Sequence, residues 1–313
     1  MSFSSDLKKE LMEVITKNKH CRYALLGGII SVNGRVENAD SADKNGLVCI
    51  RVESDEFETF VSKLIKIAVD IPDEHVISSQ EIMHHRKLII TDEKDSEKLR
   101  SGLKVYNSGS RLCTNEMLTE RSCCKQAFLR GAFLAGGSLS SPEKSNHMEI
   151  SVPTEAEADK LCRIISSLHL SAKCMKRKDR YIVYIKDGNT ISNFIGVLGA
   201  SKSMMDYENV RILKDIRNNI NREVNCDAAN MAKTANAAAK QIDDINYVYA
   251  HVKPEDIPEG LREMAEIRLE FPYLSLKELG DKFTPPLGKS GINHRLKKLS
   301  AMAESIRKSN GIQ

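Results

Sequence analysis

Two apolar segments that share one glycine pattern constrain this chain more than any other feature. Phe128-Leu-Arg-Gly-Ala-Phe-Leu-Ala-Gly-Gly137 has a counterpart in Tyr23-Ala-Leu-Leu-Gly-Gly-Ile-Ile-Ser-Val-Asn-Gly34, with Gly28 matching Gly131 and Gly34 matching Gly137, each 103 residues apart. Spacing preserved in this way marks a duplication. Each segment falls short of the roughly twenty apolar residues that cross a bilayer, so no membrane insertion is expected. As helices, the two expose little but backbone at Gly28 and Gly131. Glycine costs a helix interior about 1 kcal/mol relative to alanine, and its use in both copies predicts two helices packed backbone to backbone.

The segments resemble the motif helices of the LAGLIDADG homing endonucleases. The resemblance implies a saddle-shaped DNA-binding fold with the paired helices at its centre. It also implies an acidic residue just before the last glycine of each motif, holding the metal ions that cut the phosphodiester. Here those positions read Asn33 and Gly136. Hard divalent cations take carboxylate oxygens, and two-metal cleavage stabilises both the attacking and the leaving oxygen. The expectation is a nuclease scaffold without nuclease chemistry: not an enzyme, with no metal and no cofactor. Asp40 and Glu143 follow the motifs in loops, and neither sits at a helix end facing its counterpart.

The chain of 313 residues is long enough for two or three domains with their own cores, and its 41% apolar and 29% charged residues are ordinary for a soluble protein. The net charge of +4 does not by itself demand nucleic acid; clustering matters more. The N-terminus has charges where a signal peptide needs an apolar core, so a cytoplasmic protein is expected. Eight cysteines, none in a C-x-x-C pair and none with a histidine at zinc-finger spacing, read as reduced thiols without a structural metal.

Hydrophobic periodicity gives each repeat the order α-β-β-α-β-β-α. In the first, a helix over about 3–17 leads into the motif helix, then a hairpin of 34–37 and 47–52, a helix over 55–69, strands near 76–79 and 87–91, and a polar helix over 92–99. In the second, the motif helix is followed by a strand at 148–152, a helix over 154–168, strands at 172–178 and 180–186, and a helix over 190–198. The last hairpin carries Lys173, Lys176, Arg177, Lys178, Arg180 and Lys186 with only Asp179 and Asp187 among them. A two-stranded ribbon fits the major groove and such a cluster neutralises phosphates, so Lys173, Lys176, Arg177, Lys178 and Arg180 are candidate DNA contacts.

From Ser201 the composition changes. One helix is expected over about 205–219 and another from an Asp227 cap to about 245, with the asparagines between them at helix ends. A proline-rich linker over 251–260 precedes a three-helix pattern: 259–270, then 276 to about 283 opened by a Ser275/Glu278 capping box, then a helix capped by Ser290 with Ile292, Leu296 and Leu299 inward. That is a helix-turn-helix whose third helix reads DNA. Asn293 is the candidate for a bidentate contact to adenine, with Ser290, His294 and Lys297 nearby; Arg295 and Lys298 are candidates for phosphates, and Lys289, in the same basic segment, is a further candidate DNA contact.

Leu129-Arg-Gly-Ala-Phe-Leu-Ala-Gly-Gly-Ser138, Tyr207-Glu-Asn-Val-Arg211, Asn221-Arg-Glu-Val-Asn-Cys-Asp-Ala-Ala-Asn230, Leu261-Arg-Glu-Met-Ala265 and Ser290-Gly-Ile-Asn-His-Arg-Leu296 together resemble the WhiA family of bacterial proteins over nearly the full length. The fold class expected is α+β: a duplicated LAGLIDADG homing-endonuclease-like saddle followed by an all-α helix-turn-helix domain. The expected division is residues 1–110 and 111–217 for the two repeats and 218–313 for the helical domain, with the helix-turn-helix at about 275–308. The resemblance implies a nucleoid-associated regulator that binds double-stranded DNA, tied to sporulation and its transcription in filamentous actinobacteria and to cell division and chromosome segregation in other Gram-positive bacteria. Other transcription or cell-division proteins are possible partners. An interaction scaffold with weak DNA binding is the alternative, and an active homing endonuclease a more distant one.

Overall fold

The computed structural model describes residues 2–14, 16–37, 46–80 and 86–310. They form two compact units, Met1–Asp215 and Ile216–Gln313.

The first unit is built on the motif helices. In chain order its elements are α1 (Phe3–Glu13), α2 (Lys19–Asn33), β1 (Gly34–Glu37), β2 (Leu47–Val52), α3 (Asp55–Val69), β3 (Val76–Gln80), β4 (Arg86–Ile90), α4 (Glu93–Leu103), β5 (Val105–Ser108), β6 (Arg111–Thr114), α5 (Ser122–Gly136), β7 (Gly137–Leu139), β8 (Met148–Val152), α6 (Glu155–Ser167), β9 (Lys173–Arg177), β10 (Arg180–Ile185) and α7 (Gly188–Leu198). The first sheet runs β3-β4-β2-β1-β6-β5 and the second β7-β8-β10-β9. Stripped of the β5–β6 hairpin, the two orders are the same, as a duplication requires. That hairpin had no counterpart among the sequence expectations. The expected repeat boundary at 110/111 falls in its turn, and β6 pairs with β1 through Arg35 and Arg111.

Every residue from Ala24 to Val32 of α2 and from Ala127 to Ala135 of α5 is buried, so both helices are enclosed on every side over their motif segments. Leu25, Leu26, Ile29 and Ile30 of α2 and Phe128, Leu129, Ala132 and Phe133 of α5 are inaccessible to solvent. A β-carbon added at Gly28 would lie 2.1 Å from the Phe128 carbonyl oxygen, and one at Gly131 would lie 2.0 Å from that of Leu25. The expected backbone-to-backbone packing is therefore present and reciprocal. Buried Arg130 ties the surroundings together, its Nε donating to the Leu198 carbonyl at 2.6 Å and its Nη1 to that of Val14 at 2.5 Å. Both acceptors follow from helix C-termini, whose last carbonyls lack intrahelical donors. Helix α1 stops at Glu13, short of the expected residue 17.

Buried Lys160 of α6 reaches the end of β6, donating to the Thr114 carbonyl at 2.8 Å and hydroxyl at 2.7 Å. Its neighbour Glu157 is buried too, and burial pushes that carboxyl up despite the lysine beside it. A raised folded pKa means that Glu157 contributes stability fully present below its unfolded pKa, near 4.5, and lost as pH rises through the folded value. Glu157→Gln is expected to raise Tm by a few degrees at pH 7 and to leave it nearly unchanged near pH 4, measured by thermal melts across pH. A variant that lowers Tm at pH 7 contradicts this sign.

Helix α8 spans Ser201–His251 without a break. Two helices with asparagine-rich ends were expected, and the correction has a simple cause: 201–251 contains neither glycine nor proline. Asparagine costs a helix interior at most about 0.7 kcal/mol. Asp227 therefore lies mid-helix and caps nothing. At its start, Glu10 of α1 accepts from the Lys202 and Ser203 amides at 2.9 and 2.8 Å, filling the role of an N-cap.

The second unit continues with α9 (Glu259–Glu270), α10 (Leu276–Gly280) and α11 (Lys289–Ser309). Its core joins Ile245 and Val248 of α8 to Leu261, Met264, Leu279, Phe283, Ile292, Leu296 and Leu299.

Candidate nucleic-acid interface

The helix-turn-helix is assembled by local rules. Ser275 and Glu278 form the expected capping box, with the Ser275 amide donating to the Glu278 carboxylate at 2.8 Å, and hydrogen bonds from Ser275 hold that carboxyl below its usual range. Helix α10 is only five residues long, shorter than expected. The chain then folds back so that the Leu287 amide donates to the Gly280 carbonyl at 3.0 Å. A β-carbon at Gly280 would sit 2.0 Å from the Leu287 oxygen, so glycine is what lets the two segments of the turn meet.

Helix α11 buries Ile292, Leu296, Leu299 and Ala303, the inward stripe expected. Its N-cap is Gly288, not Ser290, and no side chain caps it. The Gly291 amide donates back to the Gly288 carbonyl at 2.9 Å and no side chain fills the helix start, where the dipole favours an anion. Lys289, Ser290, His294, Lys297 and Lys298 are exposed, and Asn293 is half-buried. Arg295 is elsewhere engaged. Its Nη1 donates to the Gly260 carbonyl at 3.2 Å and lies 3.7 Å from Glu263, while the guanidinium covers the Phe283 ring at 5.2 Å. The arginine expected to meet phosphate thus fastens α11 to the start of α9. Arg307 is similarly used, paired at 2.8 Å with buried Asp244 and stacked over Tyr247.

In the first unit, strand alternation divides the basic hairpin. Lys173 and Arg177 of β9 share a sheet face with Arg180, while Lys176 faces the other way opposite Tyr181, its Nζ 5.9 Å from that ring. Lys178 occupies the turn with φ +53°. Arg180 donates to the Ser151 hydroxyl at 2.7 Å and carbonyl at 2.8 Å. Burial, and then the positive charges of Arg111, Arg51 and Arg35, push its guanidinium pKa down. Those three arginines were not among the sequence candidates. Each is an isolated basic residue on a different strand, and only the register that sets Arg35 opposite Arg111 gathers them. Buried Nη1 of Arg111 has no hydrogen-bond partner among the described residues.

A cavity of about 690 Å³ opens beside the C-terminal ends of α2 and α5, lined by Asn33, Gly136, Arg51, Arg180, Lys8 and Glu53 among others. Asn33 Nδ2 donates to the Arg51 and Ala135 carbonyls, both at 3.1 Å, so its amide links the two repeats. At Gly136 a β-carbon would meet the Ser151 oxygen at 2.6 Å and Val32 Cγ1 at 2.7 Å. Neither position presents a carboxylate. Glu143 is exposed in the loop before β8, and Asp40 lies outside the described residues.

A probable cell division protein WhiA from Lachnoclostridium phytofermentans is 40% identical to this chain over 314 residues, covering 98% of the chain and 100% of the relative. The chain belongs to the WhiA family. The counterpart from Clostridium tetani is 38% identical, covering 98% of this chain and 99% of its own. The family's LAGLIDADG-like domain matches residues 125–217, and its C-terminal HTH domain matches 220–303. The crystal structure of full-length DUF199/WhiA from Thermatoga maritima, 24% identical, aligns over 97% of this chain and 99% of that one with a TM-score of 0.53. The fold is accordingly a duplicated LAGLIDADG-like unit joined to a helix-turn-helix, the two domains that the family models describe. No helix among the described residues is long and apolar enough to cross a membrane.

Proposed function

We propose that this protein is a DNA-binding regulator of cell division and chromosome segregation, associated with the nucleoid, whose nuclease-like unit is catalytically silent. The observation that carries the reading is the outer face of α11, where Lys289, Ser290, His294, Lys297 and Lys298 stand exposed beside an uncapped helix start. A helix of this kind lays base-reading side chains and phosphate-binding lysines along one groove. Arg35, Arg51, Arg111 and Arg180 of the first unit form a second positive cluster, with Arg35 exposed and the other three half-buried, and its field suits the same polyanion. Silence follows from Asn33 and Gly136, which offer no carboxylate for a metal at the motif ends. The division role rests on the relatives' names.

The test is retention of genomic DNA fragments by the full-length chain across a salt series, with and without magnesium. Selective retention that weakens steeply with salt and leaves the DNA uncut is expected. Cleavage on adding magnesium refutes the silence, and no retention at any salt refutes the DNA-binding role. A second reading, a scaffold for transcription or division proteins, is favoured by the exposed Ile216, Ile220, Val224 and Met231 of α8. It predicts stable association with a protein partner and DNA affinity that is weak at every salt concentration.

A further inference from the structure

The N-terminal ends of the motif helices hold a second constellation. His20 and Cys21 open α2, and Cys123 and Cys124 open α5; His20 matches Cys123 and Cys21 matches Cys124 across the same 103-residue offset as the glycines. The repeat therefore brings two donor pairs face to face. One donor atom from each of the four lies within 4.8 Å of all the others. His20 Nδ1 is 3.1 Å from Cys124 Sγ and 3.2 Å from Cys21 Sγ. Among the described residues this is the one group of its kind.

We propose that His20, Cys21, Cys123 and Cys124 form a Cys3His site for Zn2+ that pins the two motif helices together at their N-terminal ends. Zinc takes four ligands tetrahedrally, with sulfur at about 2.3 Å and nitrogen at about 2.0–2.1 Å. Donor atoms in such a shell stand roughly 3.5–3.8 Å apart by simple trigonometry on those bonds, so four atoms that all lie within 4.8 Å of one another need shifts of no more than about 1 Å to close on an ion. Three thiols and an imidazole are a soft set that selects zinc over magnesium or calcium. Binding converts the three thiols to thiolates, releases their protons to solvent and changes no oxidation state. Without an ion Cys21 and Cys124 stay thiols, because burial and the crowding of the other sulfurs push both up; the charge of the bound cation is what draws the protons off. Cys21 and Cys124 are buried, whereas Cys123 is exposed and gives the ion a way in. The site lies at the end of each helix remote from Asn33 and Gly136, so its role is structural.

The proposal is tested on the full-length chain, purified reduced, stripped with a chelator and titrated with Zn2+ and with Co2+. One equivalent of zinc per chain by elemental analysis is expected, with a higher Tm on zinc addition and, for cobalt, the intense visible bands of tetrahedral thiolate ligation. Cys123→Ser and His20→Ala alter exposed or half-buried side chains and are expected to leave the circular dichroism spectrum intact. Each is expected to lower zinc affinity at least about tenfold, the loss that even outer-shell changes produce. Substoichiometric binding by the unaltered chain overturns the proposal, as does undiminished affinity in both variants. A disulfide among these cysteines that forms in the presence of zinc overturns it as well, and would make the cluster a redox pair.

Discussion

Gly131→Ala is expected to destabilise the first unit by about 3 kcal/mol or more, at or above the top of the usual range for overpacking a core. In an exposed helix the same change stabilises by about 1 kcal/mol, because alanine loses less backbone entropy. Here the new methyl would stand 2.0 Å from the Leu25 carbonyl oxygen and 3.0 Å from the Ile29 amide nitrogen, both backbone atoms of a helix that is itself buried. No side chain can rotate aside, so α2 and α5 must separate, and each buried contact along them loosens. Gly28→Ala meets the mirror obstacle, 2.1 Å from the Phe128 oxygen, and is expected to cost a similar amount. Denaturant unfolding of the full chain, resolved by unit, measures both. A variant as stable as the parent, or more so, would show that the helices do not touch through these glycines.

The second large effect concerns α11. Replacing Lys297 and Lys298 together with alanine is expected to lower DNA affinity about tenfold or more and to flatten the dependence of log K on log salt by about 1–2, near 0.9 for each phosphate contact removed. Both lysines are exposed, so Tm is expected to hold. Arg295→Ala should do the reverse. It removes the tie to Gly260, Glu263 and Phe283, so Tm falls, while DNA affinity measured well below Tm changes little. Equal losses of affinity from the two variants would return Arg295 to the contact surface; no loss from the lysine pair would take α11 off the DNA.

Elements set by local periodicity were legible from the residues. The α3 and α6 helices, the β3–β4 and β9–β10 pairs, the Ser275 box and the inward stripe of α11 each follow from a repeat of two or about 3.6 residues or from a capping signature. What escaped depended on partners distant in sequence. The β5–β6 hairpin is short and polar, and it exists because β1 offers an edge for β6 to join. Arg35, Arg51 and Arg111 become a cluster only through strand register. Arg295 looked like a phosphate ligand because nothing local reveals that Gly260 and Glu263 lie against it. The cysteines looked inert for a related reason: zinc-finger spacing looks for ligands within one short segment, whereas here the ligands come from two helix starts in separate repeats. The division of α8 failed differently, since capping residues were read as ends in a stretch with no helix breaker to make one.

The added hairpin also gives the first unit a direction. With strands about 4.8 Å apart, the six-stranded sheet is roughly 24 Å across and the four-stranded sheet roughly 14 Å. A motif-helix pair related by a near two-fold axis thus supports two unequal platforms. Dimeric helix-turn-helix proteins read palindromes because their own symmetry matches the inverted repeat. A duplex laid along this surface meets a broad half and a narrow half, and turning it end for end is not an equivalent fit. A target matched to such a surface is polar, with a left and a right.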